Sequence, residues 1–277
     1  MSVLTVASPR LLVSAVPRTP APYGLFTVAT MRATVDPHWQ TGVEWQSEPC
    51  RQPGLIGPPD CDPSDSTGEG TLGLPKDFSD AGPGLDDASP FTLYAPWLCS
   101  PVGHSSESAE QQARDQLAAA EQFGVEHAIW SGQVDSQPSL ADAEAVADGP
   151  LDPLSALATL EQQFSAQIGS QGVLHCSRYA ATILVKQADL VAGASRLTTP
   201  LGTPVISGSG YGDPHPERLV ITPPPFVYRG EVFTSSDRTG DLFDRDHNDL
   251  YAIAERTYLV GWDSCPTSLY ADIEYPA

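Results

Sequence analysis

Basic residues are scarce in this sequence. The 277 residues include 14 Lys and Arg against 35 Asp and Glu, a formal net charge of −21, and Lys76 and Lys186 are the only lysines. A surface this acidic repels nucleic acid and anionic membranes. The composition therefore does not favour a protein that binds DNA, RNA or lipid over most of its surface.

Long apolar runs are also missing. No stretch reaches the roughly 18 to 20 apolar residues that a membrane-spanning helix needs. The first 20 residues are mildly apolar, but Arg10 interrupts them and no charged region precedes a continuous apolar segment. We therefore expect neither a membrane span nor a secretory signal.

Cysteines are few and widely spaced. The five are Cys50, Cys61, Cys99, Cys176 and Cys265, and no CxxC pair occurs. The spacing gives no support to a zinc ribbon or a redox motif. Reduced thiols in a cytosol are expected, with a Cys50–Cys61 bridge as the alternative in an oxidising setting.

What the sequence does contain is enough apolar material for a core. Hydrophobic residues make up 40% of the chain, so a folded domain, or two small ones, is expected. Proline (27) and glycine (23) are abundant but not periodic. That composition indicates many turns and extended segments rather than a fibre.

The first hundred residues alternate between extended and low-order segments. Residues 1–30 predict an extended arm with no helical period, and residues 31–48 a short strand. Residues 49–90 have little order, and 91–103 return as a strand. Because a structureless loop of about 40 residues is uncommon in a compact domain, 49–103 is interpreted as a protruding two-stranded loop.

The stretch "AEQQARDQLAAAEQFGVEHAIWSG" predicts one long helix from Ser106 to Trp130, about 37 Å at 1.5 Å per residue. Ser105, Ser106 and Ser108 are candidate N-caps, and Ser108 with Gln111 fits a capping box. Residues at spacings of three and four, most of them small, predict one helix face that another backbone can approach closely. They are Ala109, Ala113, Leu117, Ala120, Gly124 and Ala128.

Downstream the pattern is mixed. Residues 133–150 are acidic and loop-like. Residues 151–168 predict a helix with Leu154, Leu157, Leu160 and Phe164 on its apolar face, and residues 178–191 predict a second helix ending near Gly193. Strands are predicted at 172–177, 197–212, on both sides of three prolines within 218–233, and at 250–265 and 267–273.

Two motifs resemble ligand-binding loops only partly. Asp244, Asp246, Asn248 and Glu255 match positions 1, 3, 5 and 12 of a calcium loop, but Asp249 stands where the turn needs glycine. An acidic surface loop leading into a strand is expected there instead. "SGSGYGDPH", residues 207–215, lacks the spacing of a phosphate loop and predicts a flexible turn.

The six histidines are dispersed, and HExxH is absent. His127 is expected to be solvated or packed. His175 and Cys176 are neighbours in a predicted strand, so their side chains point to opposite faces and do not form a catalytic pair. We expect no catalytic, cofactor-binding or metal-binding residues, no cofactor and no enzyme activity.

Four segments, in this order, resemble tailed-bacteriophage major capsid proteins. They are "AAAEQFGVEHAIWSG", "GVLHCSRYAATILVK", "LTTPLGTPVISGSG" and "AERTYLVGWDSCPTSLYADI". The resemblance implies an α+β chain with the Hong Kong 97-type fold. High alanine, proline and aspartate with little lysine resemble the branch from actinobacterial phages.

The resemblance also implies a division of the chain. The expected parts are an N-terminal arm (1–30), a peripheral-domain strand (31–48), an extended protruding loop (49–103), the peripheral domain's spine helix (104–132), an axial domain (133–250) and closing peripheral strands (251–277). Trp39, Trp45, Trp97 and Trp262 are expected to be packing anchors. The arm and the loop are expected to become ordered when neighbouring subunits cover them. An acidic tip at 133–150 is a third region expected to serve the shell function.

The function implied is a structural one. The chain is expected to assemble into the icosahedral head shell of a tailed phage around double-stranded DNA, as hexamers, pentamers or both. Expected partners are other capsid subunits, with scaffold, portal or decoration proteins as further candidates, nonspecific DNA contact and no membrane. The expected location is the virion, with assembly in the host bacterial cytoplasm.

Two departures from the family bear on how the shell is built. No long scaffold region precedes the arm, and the positions of Lys76 and Asn248 do not favour lysine–asparagine cross-linking. The alternatives are an encapsulin-type nanocompartment shell and a hydrolase with an unrecognised site, which would have a deep pocket with perturbed carboxylates.

Overall fold

Two mixed β-sheets and four helices make up most of the described chain. The computed structural model describes residues 16, 18–33, 36–54, 82–100, 104–133, 138–193, 196–235, 243–244 and 249–274. The helices are α1 (Leu25–Val28), α2 (Ser106–Ser131), α3 (Pro153–Ile168) and α4 (Arg178–Gln187). Short 3₁₀ turns lie at Pro37–Thr41 and Leu140–Asp142.

The first sheet is built on a 13-residue strand, β14 (Asp249–Gly261). β4 (Phe91–Cys99) pairs antiparallel along one edge of β14. Three shorter strands pair antiparallel along the other edge of β14. The three are β11 (Phe226–Arg229), β12 (Phe233–Thr234) and β13 (Phe243–Asp244). β1 (Thr30–Arg32) pairs in parallel with the first of these three, β11.

The second sheet has seven strands in the order β5-β15-β10-β6-β9-β8-β7. They are β5 (Glu144–Ala145), β6 (Val173–Ser177), β7 (Val191–Ala192), β8 (Leu197–Thr198), β9 (Pro204–Gly208), β10 (Arg218–Thr222) and β15 (Leu269–Asp272). Residues of α3 and α4 pack on one face, and residues of α2 pack on the other. Every residue of central β6 is consequently buried, as its apolar run predicts.

The predicted strands on both sides of the three prolines are confirmed, and they belong to different sheets. β10 ends at Thr222 in the seven-stranded sheet, and β11 begins at Phe226 in the six-stranded sheet. Because proline cannot donate a ladder hydrogen bond, residues 223–225 suit the crossing between sheets.

The long helix is confirmed, and one of the three candidate N-cap serines caps it. Ser105 caps it, and Ser105 and Ser108 exchange side-chain and backbone hydrogen bonds. The predicted pair of Ser108 and Gln111 does not form the box, since Gln111 instead donates to Asp115. Gly132 ends the helix in the left-handed conformation, φ 64°, which glycine adopts without steric cost.

The prediction of one buried small-residue face on α2 is correct only for the first half of the helix. Ala109, Ala113 and Leu117 are buried against alanines of β4 and β14. Ala120 is exposed, and Ala128 is half-buried. The predicted spacing averages 3.8 residues, whereas a helix turns every 3.6, so residue 128 lies about 100° around the helix from residue 109.

The long protruding loop is built differently from the prediction. β2 (Val43–Ser47) pairs antiparallel with β3 (Gly84–Ala88), which falls in the stretch expected to have little order. The strand at 91–99 was expected to pair with the outgoing strand, but it is β4 and pairs with β14. Residues 55–81 of the loop lie outside the described part.

Two segments predicted to be extended or loop-like are packed within the chain. Near the end of the predicted arm, α1 forms a helical turn in which Leu25 is fully buried. Within the predicted acidic tip, Leu140 is buried in the apolar cluster that also contains Leu25, and β5 pairs with β15. Burial of Leu25 and Leu140 in the core stabilises these segments, although their composition is typical of loops.

The other two helices differ from prediction in detail. In α3, Leu157, Leu160 and Phe164 are buried, but Leu154 is 56% exposed in the first turn. α4 ends at Gln187 rather than near Gly193. Asp189 adopts φ 51°, a conformation that a helix cannot contain.

The expectation of reduced thiols is wrong for one pair. Cys50 forms a disulfide with Cys265, 215 positions away, with their Cα atoms 5.4 Å apart. The sequence offered no local signal, because the pair meets only through the tertiary fold. Cys99 and Cys176 are thiols, and Cys61 lies outside the described residues.

The tryptophans anchor the packing unevenly. Trp39 and Trp262 are buried as predicted, while Trp45 and Trp97 are half-buried. Trp130, which was not among the predicted anchors, is 4% exposed and stacks on Tyr211 with ring centroids 5.0 Å apart.

Candidate functional site

The suspected calcium loop is a β-hairpin where it is described. Asp244 pairs with Asp249 across β13 and β14, and Glu255 lies within β14. Asp246 and Asn248 lie outside the described residues. Among those described, no group of three His, Cys, Asp or Glu side chains is placed to hold a metal ion.

The glycine-rich stretch after β9 is a tightly packed turn, not the flexible turn predicted. Tyr211 is fully buried. A Cβ on Gly210 would lie 2.5 Å from the backbone of Phe123 and of His127, so only glycine lets the turn approach α2 this closely. Gly210 therefore serves the packing of this turn against α2.

His175 and Cys176 point to opposite faces of β6, as predicted. His175 Nδ1 lies 3.1 Å from the Tyr211 hydroxyl and Nε2 lies 2.9 Å from Thr222 Oγ1. Cys176 packs in the cluster on the other face. Burial lowers the pKa of His175 to about 3 and raises that of Cys176 to about 12, so both are neutral at pH 7.

His127 is packed rather than solvated, because its ring stacks on Phe123 at 6.0 Å between centroids.

A buried carboxylate on α2, Glu126, holds two distant segments. One oxygen accepts the Leu25 N–H and the other accepts the Gly210 N–H, each at 3.0 Å. The side chain is fully inaccessible. Burial raises the pKa of the Glu126 carboxyl above its ordinary value, although the N–H donors of Gly210 and Leu25 oppose that shift. Glu126 therefore joins α1 and the β9 turn to the helix.

One turn earlier, Glu121 joins α2 to the six-stranded sheet. It accepts from Arg229, from Arg256 at 2.6 Å and from the Tyr258 hydroxyl at 2.5 Å. Burial, and then the bond to Glu121, raise the pKa of Tyr258. With its oxygens shared among three donors, Glu121 is placed for structure rather than for proton transfer.

Sequence reasoning missed both glutamates because acidic residues are so common here. A signal was present, however. Ala113, Leu117, Glu121 and Val125 follow one another at spacings of four, so Glu121 continues the apolar stripe of the helix. A carboxylate in such a stripe indicates a buried ion pair rather than a solvated surface.

The six-stranded sheet leaves part of one face uncovered, although the end of that face around Leu259 lies under Trp39 and the β2–β3 hairpin. Paired residues of β4 and β14 alternate between a face under α2 and an opposite face, here called the open face. The open face carries Tyr94 (66% exposed), Leu98 (67%) and Phe233 (38%), with half-buried Tyr251 and Ile253 beside them. Glu255 lies between Tyr94 and Phe233 on this face. A group of exposed apolar side chains such as the others form is typical of a surface that another chain covers.

A groove of about 640 Å³ lies between the β2–β3 hairpin and the segment after β14. Trp45, Trp262 and three aspartates are among the residues that line it. Across the described part of the chain, no helix is long and apolar enough to cross a membrane.

Comparisons with known proteins identify the fold. No protein-family model and no curated protein matches the sequence. Solved structures do match. A chain from the capsid of an empty GTA particle aligns with a TM-score of 0.58 and 12% identity, covering 97% of this chain and 96% of that one.

The fold is that of a capsid subunit. A chain of Mycobacterium phage Cain matches with a TM-score of 0.59 at 12% identity, over 99% of this chain and 98% of that one. A chain of Microbacterium phage Oxtober96 matches with the same TM-score and identity, over 98% and 96%. The predicted α+β, Hong Kong 97-type fold is confirmed by this near-complete coverage.

Proposed function

We propose that this chain is the structural subunit that assembles into the icosahedral head shell of a tailed phage of actinobacteria, around double-stranded DNA. The observation that carries the proposal is the capsid fold over 97 to 99% of the chain. The open face supports it, because a shell subunit needs large surfaces that only neighbouring subunits cover.

The division into arm, extended loop, peripheral domain with spine helix, and axial domain is proposed with the boundaries given above, with two adjustments. The strand at 91–99 belongs to the peripheral sheet, because β4 pairs with β14. Residues 21–30 belong to the subunit body, because Leu25 is buried there. Hexamers and pentamers, scaffold, portal and decoration partners, and assembly in the bacterial cytoplasm are part of the same proposal.

The proposed role is structural and not enzymatic. His175 and Cys176 are buried and neutral, and Glu121 is committed to three donors. These three side chains fix the subunit's internal geometry, and none of the three is suited to proton transfer.

The test is assembly of the purified protein, followed by light scattering and negative-stain electron microscopy. Closed shells or capsomer rings are expected, and Tyr94→Glu with Leu98→Glu is expected to abolish them while the subunit stays folded by circular dichroism. Exposed Leu154→Glu on α3 is the matched control and should still assemble. Wild-type protein that stays monomeric even when phage scaffold and portal proteins are supplied would contradict the proposal.

A further inference from the structure

Charge is distributed very unevenly along this acidic chain. The first 35 residues contain Arg10, Arg18 and Arg32 but no Asp or Glu, although the whole chain carries 35 acidic residues. Residues 1–18, "MSVLTVASPRLLVSAVPR", combine apolar β-branched and leucine residues with two arginines. This composition suits a segment that docks on a surface offering both apolar contact and negative charge.

The groove beside the β2–β3 hairpin offers both apolar contact and negative charge. Trp45, Leu85 and Trp262 supply its apolar lining, and Asp86, Asp87 and Asp142 supply the charge. Asp87 and Asp142 are exposed. Among the described residues, no Lys, Arg or His forms an ion pair with any of these three carboxylates. An arginine placed over an indole near a carboxylate gains cation–π and ionic contacts together.

The groove is held in shape by bonds that cross it. Trp45 Nε1 donates to Asp263 at 2.8 Å, and its ring packs edge-on against Phe226 at 5.0 Å. Asp86 accepts the Ser264 N–H at 2.8 Å. The disulfide at Cys265 follows directly after Ser264. A groove fixed in this way needs little ordering when a segment binds.

We propose that the groove binds residues 1–18 of a neighbouring copy of this chain. Arg10 and Arg18 meet its aspartates, and the apolar residues between them pack on Trp45, Leu85 and Trp262. We assign this segment rather than residues 55–81 because of its charge. Residues 55–81 contain six acidic residues and only Lys76 as a base, so the acidic groove would repel them. The inference rests on the proposed shell function only in assigning the segment to a neighbouring copy.

The test uses full-length protein, diluted so that it is unassembled, and a fluorescein-labelled peptide of residues 1–18, with binding measured by fluorescence anisotropy. Saturable binding that weakens with added salt is expected. Asp87→Arg with Asp142→Arg should weaken binding about tenfold or more. Asp115→Arg with Glu231→Arg makes the same charge change at exposed positions outside the groove and should leave binding within about twofold.

A charge exchange makes the test specific. A peptide with Arg10→Glu and Arg18→Glu should bind the wild-type protein poorly and bind the Asp87→Arg, Asp142→Arg protein better than the wild-type peptide does. Loss without this rescue would overturn the proposal. So would a peptide that binds fluorescent duplex DNA but not the protein, which would make the segment a DNA contact instead.

The two proposals fail separately. Peptide binding does not require shells, so protein that binds the peptide but never assembles would reject the shell function and keep the groove. Protein that forms shells but shows no peptide binding would reject the groove and keep the shell.

Discussion

The two large sheets of this subunit differ in what covers them. The seven-stranded sheet has helical residues on both faces, and all five residues of its β6 are buried. The six-stranded sheet is covered by α2 on one face and leaves Tyr94 and Leu98 exposed on the other. The seven-stranded sheet is covered on both faces within one chain, whereas the six-stranded sheet keeps apolar side chains exposed on part of one face.

The sequence patterns of the two sheets reflect this difference. In β6, "VLHCS", all five residues are buried, so buried and exposed positions do not alternate. In β14, buried and half-buried residues alternate from Asp249 to Ala254. Alternation normally marks a face toward water, but here apolar residues also occupy the outer positions, which is typical of an interface.

The largest expected effect separates the two sheets directly. Leu174→Ala, in the centre of the seven-stranded sheet, should lower the free energy of unfolding by about 2–5 kcal/mol, because it leaves a cavity in a closed core. Leu98→Ala, on the open face, should change it by no more than about 0.5 kcal/mol. Urea unfolding of the unassembled subunit measures both, and equal losses would contradict the comparison.

The next effect concerns how α2 is fastened to the covered face of the six-stranded sheet. Glu121→Ala leaves Arg229, Arg256 and Tyr258 without their shared acceptor. We expect a loss of about 2–4 kcal/mol, below the cost of breaking a fully buried pair because Arg229 is partly exposed. Asp115→Ala, on the exposed side of the same helix, is the control and should cost little in the same urea measurement.

A smaller effect depends on pH and belongs to the seven-stranded sheet. His175 has a pKa of about 3 in the folded chain, against about 6.5 when unfolded. Between these values only the unfolded chain takes up the proton, so stability is full above pH 6.5 and falls as the pH drops toward 3. The loss from this group between pH 8 and pH 5 should be about 2 kcal/mol.

The measurement is the unfolding free energy of wild type and of His175→Gln across this pH range. Since the carboxyl of Glu126 has a raised pKa and acts in the opposite direction, the difference between the two proteins isolates the histidine. Parallel pH profiles for the two proteins would exclude the assigned role of His175.

The smallest effect tests the start of α2. Ser105→Ala should cost about 0.5–1 kcal/mol by removing the cap, whereas Gln111→Ala should be nearly neutral. Thermal unfolding followed by circular dichroism is sensitive enough for the comparison. A larger loss from Gln111→Ala would favour the cap that the sequence pattern suggested.

Local signals in the sequence were sufficient for many elements. The run from Ser106 with its terminal Gly132, the buried strand at β6 and the proline break between β10 and β11 were predictable, because each depends on neighbours in the chain. The order of these elements, through its resemblance to capsid proteins, also led to the correct fold.

The sequence by itself determined the long helix α2, the buried strand β6, the break between β10 and β11, and the excess of acidic over basic side chains. Only the tertiary structure decided which partners meet: Cys50 with Cys265, β4 with β14, Glu126 with Leu25 and Gly210. Helix and strand periodicity arises from contacts a few residues apart, whereas these pairs are separated by about 80 to more than 200 residues. Their energy comes from burial that exists only after the sheets and α2 have packed together.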